Sequence, residues 1–215
     1  MVEVYIANIS ELPDPLVFPE IMNDVSEDRC KKILSFRHVS DRKLSLGAGL
    51  MIKYVLSIYG VSDDSVVYSA TGKPTVEGVF FNVSHCGEYV ICAHSKTAVG
   101  CDIEQIRIVK DRLINKVLKP DELLYVSDCS DNEKFINFMR LWTIKESYLK
   151  MTGEGISAGI EGVSVQLGNE VVLFKEKLII PCFVKEYCMH DYRIAVCAEE
   201  NKFSENLTEI NLSEI

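Results

Sequence analysis

Hydrophobic positions in the first hundred residues change from helical to strand-like spacing near residue 60. Residues 2–9 alternate apolar and polar side chains and predict a first strand. Ser26 and Ser40 each precede a segment with helical spacing, and a serine hydroxyl can accept a hydrogen bond from a free amide at a helix start. The second helix should end at Gly60, since glycine readily adopts the left-handed backbone of helix ends. Beyond it, alternating runs predict an antiparallel meander with strands at 66–70, 79–85, 88–95 and 98–106.

The second half of the chain shows the same order, helices first and strands afterwards. Two short helices are predicted within 111–126, and a long helix runs from about Asp131 to Thr152 before the glycines at 153 and 155. Strands return at 161–167, 170–176, 180–189 and 191–198. The polar tail from Glu199 onward should be loosely held.

Short stretches of similar sequence in the two halves of the chain favour a duplicated α+β unit. IKYVLSIYG at 52–60 is similar to IKESYLKMTG at 144–153, and both end a predicted helix. Chance similarity of a few residues explains the same observation. If the duplication is real, the strand at 98–106 lies near the junction of two lobes, where ligand clefts preferentially form.

Composition and charge limit the classes of function. The chain has 215 residues and 47% hydrophobic content, which is enough to bury a globular core. Its 23 basic and 32 acidic residues give a net charge of −9, which argues against nucleic acid as the main partner and requires any phosphate site to be local. No signal-peptide pattern and no run of about 18 apolar residues occurs, so we expect a cytoplasmic protein without a membrane segment.

Asp102 and Glu104 form the first candidate site. They are two residues apart in a strand-like segment, so both side chains project from the same face. Two neighbouring carboxylates repel, and in a cleft each raises the pKa of the other unless a cation lies between them. This favours a hard divalent metal ion. An acidic pair on a solvated strand face is the commoner explanation of such a pattern taken alone.

The segment WTIKESYLK supplies a second candidate. On a helix, Trp142, Glu146, Leu149 and Lys150 share one face, with Lys145 at its border. A carboxylate and two ammonium groups therefore accompany a buried aromatic side chain. A Glu146–Lys150 pair on a surface helix, worth about 0.3–0.5 kcal/mol, is the alternative explanation.

A third cluster of polar residues has the composition of a phosphate site. Lys73 lies in GKP at 72–74, and Asn82, Ser84 and His85 end the strand FNVSH. Turn amides, a hydroxyl, an imidazole and an ammonium group can together bind phosphate. Capping, packing and solvated-turn roles remain open for each residue separately. The basic residues of the first helices would form either a solvated face or part of the same site: Lys31, Lys32, Arg37, Arg42 and Lys43.

The order and spacing of these motifs resembles the 4'-phosphopantetheinyl transferase superfamily, specifically the larger two-lobed type that activates peptide and polyketide synthetases. The recurring sequence motifs of that family are GKP, N-x-SH, G-x-D-x-E and W-x-x-K-E-x-x-x-K. This chain matches them, in the same order, with GKP, FNVSH, VGCDIE and WTIKESYLK. The resemblance extends from about Lys31 to Gly155. It implies an α+β fold of two pseudo-twofold-related lobes with antiparallel sheets, which we expect at 1–100 and 101–215, and a ligand cleft between them.

The resemblance also implies roles for individual residues. Asp102, Glu104 and Glu146 would bind Mg²⁺, or Mn²⁺, together with the pyrophosphate of coenzyme A and water. Glu146 would accept the proton of the attacking serine, Lys150 would assist the leaving group, and Lys145 would orient Glu146 or the phosphate. The expected contacts to coenzyme A are Lys150 and Ser84 at the pyrophosphate, Lys73 at the adenosine, and His85, Lys31 and Lys43 at the 3'-phosphate.

Two departures from the family pattern affect the expected 3'-phosphate site. One is Asp28, which stands where a lysine can occur, and the other is Lys43. Lys43 stands where related enzymes often have an arginine, and an ammonium group cannot form the two-point contact of a guanidinium. Arg42 would compensate if its side chain turns towards the site. The sequence leaves this open.

The implied activity is transfer of phosphopantetheine from coenzyme A to a serine of an apo acyl or peptidyl carrier protein, by a monomer. Carrier docking is expected on the helices after residue 111, where Arg112, Lys116 and Lys119 accompany Leu113, Val117 and Leu118. An ordinary amphipathic helix is the alternative for that segment. Rival functions are a catalytically silent module that binds coenzyme A or carriers, a magnesium-dependent phosphoryl transferase of another fold, and the short trimeric synthase of the same superfamily, which the chain length disfavours.

Overall fold

The computed structural model describes residues 1–70, 72–155 and 159–215 and has a mixed α+β architecture. The strands are β1 (Glu3–Asn8), β2 (Val67–Tyr68), β3 (Pro74–Thr75), β4 (Phe80–Cys86), β5 (Tyr89–Ser95), β6 (Val99–Gln105), β7 (Val163–Gln166), β8 (Val172–Lys175), β9 (Leu178–Ile179), β10 (Phe183–Met189), β11 (Tyr192–Ala198) and β12 (Thr208–Glu209). The α-helices are α1 (Glu27–Ser35), α2 (Val39–Ile58), α3 (Asp111–Val117), α4 (Pro120–Ser127) and α5 (Asp131–Thr152). The α+β class with antiparallel sheets is confirmed.

The first lobe consists of α1, α2 and a sheet in the order β12-β1-β5-β4. Its pairs are antiparallel except the pair of β1 with β12. Helix α2 packs on this sheet and begins one residue before Ser40, with His38 as its cap. It buries Leu46 and Met51 in one core with Val90 of β5. As predicted, the chain leaves this helix at Gly60, where φ is +67°.

The second lobe consists of α3, α4, α5, the antiparallel sheet β10-β11-β6 and the smaller sheet β7-β8-β9. Helix α5 crosses the larger sheet, and Leu141 and Ile144 pack with Ala195 and Cys197 of β11. The long helix ends as predicted at Gly153, where φ is +77°. The fold therefore places one long helix on each of the two main sheets.

The two lobes meet where β4 lies beside β6. These strands belong to separate sheets, and the Asn82 side chain links them. The Cys101 N–H donates to Asn82 Oδ1 at 2.9 Å, and the Cys101 thiol donates to the Asn82 carbonyl at 3.1 Å. Apolar side chains from both lobes, including Ile91 and Ile103, form a further core cluster at this junction. The NVSH and GCDIE segments are therefore adjacent in space.

The C-terminal tail is tied to the first lobe, so the prediction of a loosely held segment is wrong. Strand β12 pairs in parallel with β1, and Leu212 is 4% exposed within the first-lobe core. The tail also contacts the second lobe, because the Tyr187 hydroxyl of β10 donates to the Ser204 carbonyl at 2.7 Å. A few apolar side chains in a polar segment suffice to dock it. Within the part of the chain that the structure describes, no helix has the length and apolarity needed to cross a membrane.

Candidate active site between the lobes

A cleft of about 680 Å³ lies between the lobes. The four sequence motifs all contribute to its walls, because the β4–β6 junction and the last turns of α5 meet there. The polar and charged residues that line it are Arg29, Lys32, Lys73, Asn82, Ser84, His85, Asp102, Glu104, Glu146 and Lys150. Trp142 adds an aromatic wall.

Ser84, Asp102 and Lys150 form a hydrogen-bonded group at the centre of the cleft. Lys150 Nζ donates to Asp102 Oδ1 at 2.5 Å and to Ser84 Oγ at 2.8 Å, and Ser84 Oγ donates to Asp102 Oδ1 at 2.9 Å. Burial acts to lower the pKa of Lys150, but the Asp102 carboxylate outweighs it and the pKa is raised. The group thus presents a fixed positive charge on a partly exposed side chain.

Carboxylate oxygens in the same cleft lack partners. Asp102 Oδ2 and Glu146 Oε1 are buried, and neither has a hydrogen-bond partner among the described residues. Burial, with the nearby charges of Asp102 and Glu104, raises the pKa of Glu146 to about 7. Burial and the Asp102 charge also raise the pKa of Glu104. A divalent cation would satisfy both bare oxygens and offset the repulsion, so the donor set fits Mg²⁺ or Mn²⁺.

The carboxylates do not form a closed metal cage by themselves. Glu104 Oε2 accepts from Arg107 Nη1 at 2.9 Å and from the Cys86 thiol at 3.5 Å. In the described ranges, no three His, Cys, Asp or Glu side chains are grouped to hold a metal ion. An ion at Asp102 and Glu146 would therefore need further oxygen ligands from a substrate or from water.

Two basic residues of α1 reach the cleft, of which Lys32 was among the candidates named from the sequence and Arg29 was not. Arg29 and Lys32 line it near His85, whereas Lys31 is exposed and pairs with Glu27 and Asp28 at 2.9 and 3.3 Å. The prediction that Lys31 faces the ligand is therefore wrong. Residues three apart share a helix face, so the spacing of Arg29 and Lys32 was the available signal.

His85 lies in the cleft as expected, on the outward side of β4. Its partial removal from solvent and the charges of Lys150, Lys32 and Arg29 lower the pKa of its imidazole to about 4. The ring is neutral at pH 7 and lies in a positively charged environment. An incoming phosphate would be attracted to that environment.

Lys43 and Arg42 do not contribute to the cleft walls, which corrects the expectation for Lys43 and answers the question that the sequence left open for Arg42. Lys43 Nζ donates to the Ser10 carbonyl at 2.9 Å. The buried guanidinium of Arg42 donates to Asp14 at 2.8 and 2.6 Å and to the carbonyls of Phe36 and Arg37. Asp14 already provides the two-point partner that a guanidinium prefers, which holds Arg42 in the first lobe.

Lys145 also points away from the cleft. Its side chain is fully buried, and Nζ donates to Glu122 Oε2 at 2.6 Å and to the Val117 carbonyl at 2.9 Å. Burial lowers the pKa of this ammonium group against the opposing effect of Glu122. The expected role in orienting Glu146 or the phosphate is replaced by a link among α3, α4 and α5.

Lys73 lines the cleft, but its charged end is bound to helix α5. Nζ donates to the carbonyl oxygens of Lys150 and Met151 at 2.5 and 3.0 Å. Sequence reasoning placed this lysine against adenosine and gave no sign of the helix contact, because the partners are backbone atoms about 77 residues away in sequence.

The predicted carrier-docking surface is only partly available. Arg112, Lys116 and Lys119 are exposed. Val117 and Leu118 are 1% and 5% exposed and belong to the core of the second lobe, so the prediction is wrong for these two residues. Their apolar side chains stabilise α3 against α5 instead of contacting a partner.

Comparisons with known proteins identify a family with a similar sequence. A family model for the 4'-phosphopantetheinyl transferase superfamily matches residues 98–197. The 4'-phosphopantetheinyl transferase gsp of Aneurinibacillus migulanus is 27% identical over 204 residues, covering 92% of this chain and 86% of the relative. The 4'-phosphopantetheinyl transferase Sfp of Bacillus subtilis (strain 168) is 28% identical over 203 residues, covering 90% and 91%. The 4'-phosphopantetheinyl transferase HetI of Nostoc sp. is 32% identical over 137 residues, covering 59% and 57%. The matched segment of the family model includes β6 and α5, which carry the cleft carboxylates and Lys150.

Proposed function

This chain belongs to the 4'-phosphopantetheinyl transferase superfamily, and we propose that it transfers the phosphopantetheine group of coenzyme A to a serine of an acyl or peptidyl carrier protein. The observation that carries the proposal is the convergence of Ser84, Asp102 and Lys150 beside the unpartnered oxygen of Glu146 in one cleft. This arrangement offers cation-binding oxygens and an ammonium group at the same place, as a pyrophosphate substrate requires.

The proposed metal ligands are Asp102, Glu104 and Glu146, with Mg²⁺ or Mn²⁺ as the ion. Two bare carboxylate oxygens and the raised pKa values of Glu104 and Glu146 support this assignment. When bound, the ion would neutralise charge on the pyrophosphate and on the departing 3',5'-ADP.

Coenzyme A would bind with its charged groups along the basic side of the cleft. We propose that Lys150 and Ser84 contact the pyrophosphate, because both line the cleft and are hydrogen-bonded to each other. Arg29, Lys32 and His85 supply the adjoining positive surface for the 3'-phosphate. The Arg29 guanidinium already donates through Nη2 to the Tyr68 hydroxyl at 2.9 Å, so its remaining N–H groups would be the ones that meet the phosphate.

The proposed chemistry is an in-line displacement. The carrier serine Oγ forms a bond to the phosphorus that bears pantetheine, and the bond from that phosphorus to 3',5'-ADP breaks. The serine proton moves to the Glu146 carboxylate, directly or through a bound water; Oε1 would contact the ion, which leaves Oε2 to accept the proton. Lys150 donates hydrogen bonds towards the leaving phosphate from its position on Asp102.

We place the carrier protein on the second lobe, next to α3 and α4. Carrier proteins are commonly acidic, and this chain has a net charge of −9, so attraction must come from a local basic surface. Arg112, Lys116 and Lys119 are exposed there. The enzyme is proposed to act as a monomer, because its two lobes together supply the whole cleft. We also propose that it acts in the cytoplasm.

Intact-protein mass spectrometry tests the proposal directly. An apo carrier protein incubated with coenzyme A, Mg²⁺ and the enzyme should gain one phosphopantetheine, and the gain should disappear with EDTA or with Glu146→Gln. Titration calorimetry with coenzyme A runs beside it. If coenzyme A binds but no phosphopantetheine is transferred to fatty-acid, peptidyl or polyketide carriers, the result would favour a silent binding module. If coenzyme A neither binds nor reacts, the assignment of the cleft would be refuted.

A further inference from the structure

The contact between Lys73 and the end of α5 joins the two lobes beside the cleft. Lys73 belongs to the turn between β2 and β3 of the first half of the chain, and its Nζ donates to the backbone carbonyls of Lys150 and Met151. Its stem passes Gly153, since a β-carbon there would lie 3.9 Å from Lys73 Cδ. The ammonium group therefore sits at the C-terminus of the helix that carries two of the proposed active-site residues.

These carbonyls are ones that a helix cannot satisfy itself. The last four carbonyl groups of an α-helix lack amide donors within the helix. In α5, the Gly153 N–H returns to the Leu149 carbonyl at 3.0 Å, and the Thr152 hydroxyl donates to the same oxygen at 3.2 Å. The next two carbonyls, those of Lys150 and Met151, receive Lys73 Nζ. A cation at this position is also favoured by the helix dipole.

The other end of Lys73 is fixed by its own turn. The Lys73 N–H donates to Ser69 Oγ at 3.1 Å, and the Ser69 N–H donates to the Lys73 carbonyl at 2.9 Å. Pro74 pairs with Tyr68 in the small β2–β3 sheet. The backbone of this lysine is thus held on one side of the cleft while its side chain holds the helix on the other.

One of the two carbonyl groups that accept from Lys73 belongs to Lys150, whose side chain contacts Ser84 and Asp102. Glu146 lies one helical turn earlier on the same helix, and residues four apart share a face. A shift of the last turn of α5 would therefore move the Lys150 ammonium group relative to the Asp102 carboxylate. Misplacement by about 1 Å is enough to reduce a reaction rate by about 10²-fold.

We propose that Lys73 is a positioning residue for the transfer reaction, one that fixes the last turn of α5 and with it Lys150, and is not a ligand of coenzyme A. This inference rests on the proposed function. Its ammonium group is occupied by two carbonyls, so little donor capacity remains for the substrate. The guanidinium of an arginine at this position can donate to the same two oxygens, whereas a methionine fills the space without donating.

The test compares Lys73→Met, Lys73→Arg and the control Lys96→Met, whose lysine is exposed on the β5–β6 turn. For Lys73→Met we expect kcat to fall about 10-fold while the KM for coenzyme A stays within about 2-fold of the wild-type value. Lys73→Arg should recover most of the rate, and Lys96→Met should behave as wild type. Amide hydrogen exchange of residues 149–153, measured without substrate, should be faster in Lys73→Met alone.

Two results would overturn the proposal. One is a rise in the KM for coenzyme A with kcat and hydrogen exchange unchanged, which identifies Lys73 as a direct ligand contact. The other is wild-type kinetics and exchange in Lys73→Met. Should that variant be insoluble, Lys73→Leu, which also lacks a donor, takes its place, and wild-type behaviour there has the same meaning. Inactive wild-type enzyme would count against the proposed function, whereas the exchange measurement would still decide whether Lys73 holds the helix.

Discussion

Gly100 lies so close to α5 that a β-carbon added to it would overlap the Ser147 carbonyl oxygen and lie 2.8 Å from Met151 Cα. The obstructing atoms belong to the helix backbone, so they cannot move aside as a flexible side chain would. This close approach explains why the G-x-D-x-E segment begins with glycine. It lets β6 and α5 bring Asp102 and Glu146 into one cleft.

Gly100→Ala should therefore damage both stability and catalysis. Overpacking at a buried backbone contact costs about 1–3 kcal/mol of folding free energy, and the forced separation of β6 from α5 would displace Asp102 from Lys150. Urea unfolding measures the first effect, and the rate of carrier modification measures the second. The matched control is Gly162→Ala, because nothing lies within 4 Å of a β-carbon there. Equal stability of the two variants would contradict the packing argument.

Asn82 provides a second structural prediction, because its side chain replaces strand pairing between β4 and β6. Asn82→Leu would leave the buried Cys101 N–H without an acceptor, at a cost of about 1–3 kcal/mol. Asn82→Asp retains the acceptor oxygen and should lose less stability when both variants are compared at a pH low enough to keep the new carboxyl group neutral. Thermal unfolding of both variants tests the role. The prediction fails if leucine is tolerated as well as aspartate.

The buried pair of Lys145 and Glu122 should stabilise the second lobe. Glu122 accepts from Lys145 Nζ at 2.6 Å, from the Lys119 N–H at 2.7 Å and from the Val165 N–H at 2.7 Å. Lys145→Met leaves a buried carboxylate without its cation, which costs about 3–5 kcal/mol. The double variant Lys145→Met with Glu122→Leu should recover part of this loss in urea unfolding. A Lys145→Met enzyme with normal stability and abolished activity would restore the catalytic role expected from the sequence.

The sequence predicted the elements and the central site better than it predicted the basic residues around it. Ser84, Asp102, Glu146 and Lys150 all line the cleft, because their directions follow from strand alternation and helix periodicity, which are local properties. The bounds of α5 also follow from a local signal, the glycine at 153.

The predictions that failed concern residues whose bonding partners are not revealed by local sequence patterns. Arg42 bonds to Asp14, 28 residues away, and Lys145 to Glu122, 23 residues away. The prediction for Lys31 was wrong because the sequence predicts helix α1 but does not show which face of that helix lies towards β4. In each case a long side chain with several donors takes the nearest strong acceptor in the folded chain, and its identity is a property of the tertiary structure.

His94 should make the first lobe sensitive to acid. It is buried on β5, its Nδ1 lies 2.8 Å from the Tyr59 hydroxyl, and its Nε2 lies 3.4 Å from both Glu3 and the Tyr5 hydroxyl. Burial lowers the pKa of this imidazole despite the opposing charge of Glu3. The folded state therefore binds its proton at lower pH than the unfolded chain, whose histidine titrates near about 6.5. Stability from this group is present above that pH and is lost as the pH falls below it.

Replacing His94 with glutamine tests the predicted loss of stability at low pH, because glutamine keeps polar contacts but does not titrate. Between pH 7 and pH 5 the wild-type protein should lose more unfolding free energy than His94→Gln, measured by urea denaturation at each pH. His190→Gln is the control, since that histidine is exposed at a turn. Parallel curves for wild type and His94→Gln would show that other groups account for the acid sensitivity.

The exposed basic residues of α3 and the following turn should contribute to carrier binding and not to chemistry. Charge reversal at Lys116 and Lys119 places two carboxylates on the surface proposed to meet an acidic carrier, so the KM for carrier should rise about 10-fold while kcat and the KM for coenzyme A stay unchanged. The effect should weaken as salt is raised from 50 to 500 mM, because exposed charges are screened over about 10 Å at 0.1 M.

The control is the double variant Lys53→Glu with Lys96→Glu on the first lobe, which changes the net charge by the same amount at another place. If both double variants raise the KM equally, the effect reports net charge and the docking surface lies elsewhere; if neither does, the carrier does not bind through these residues.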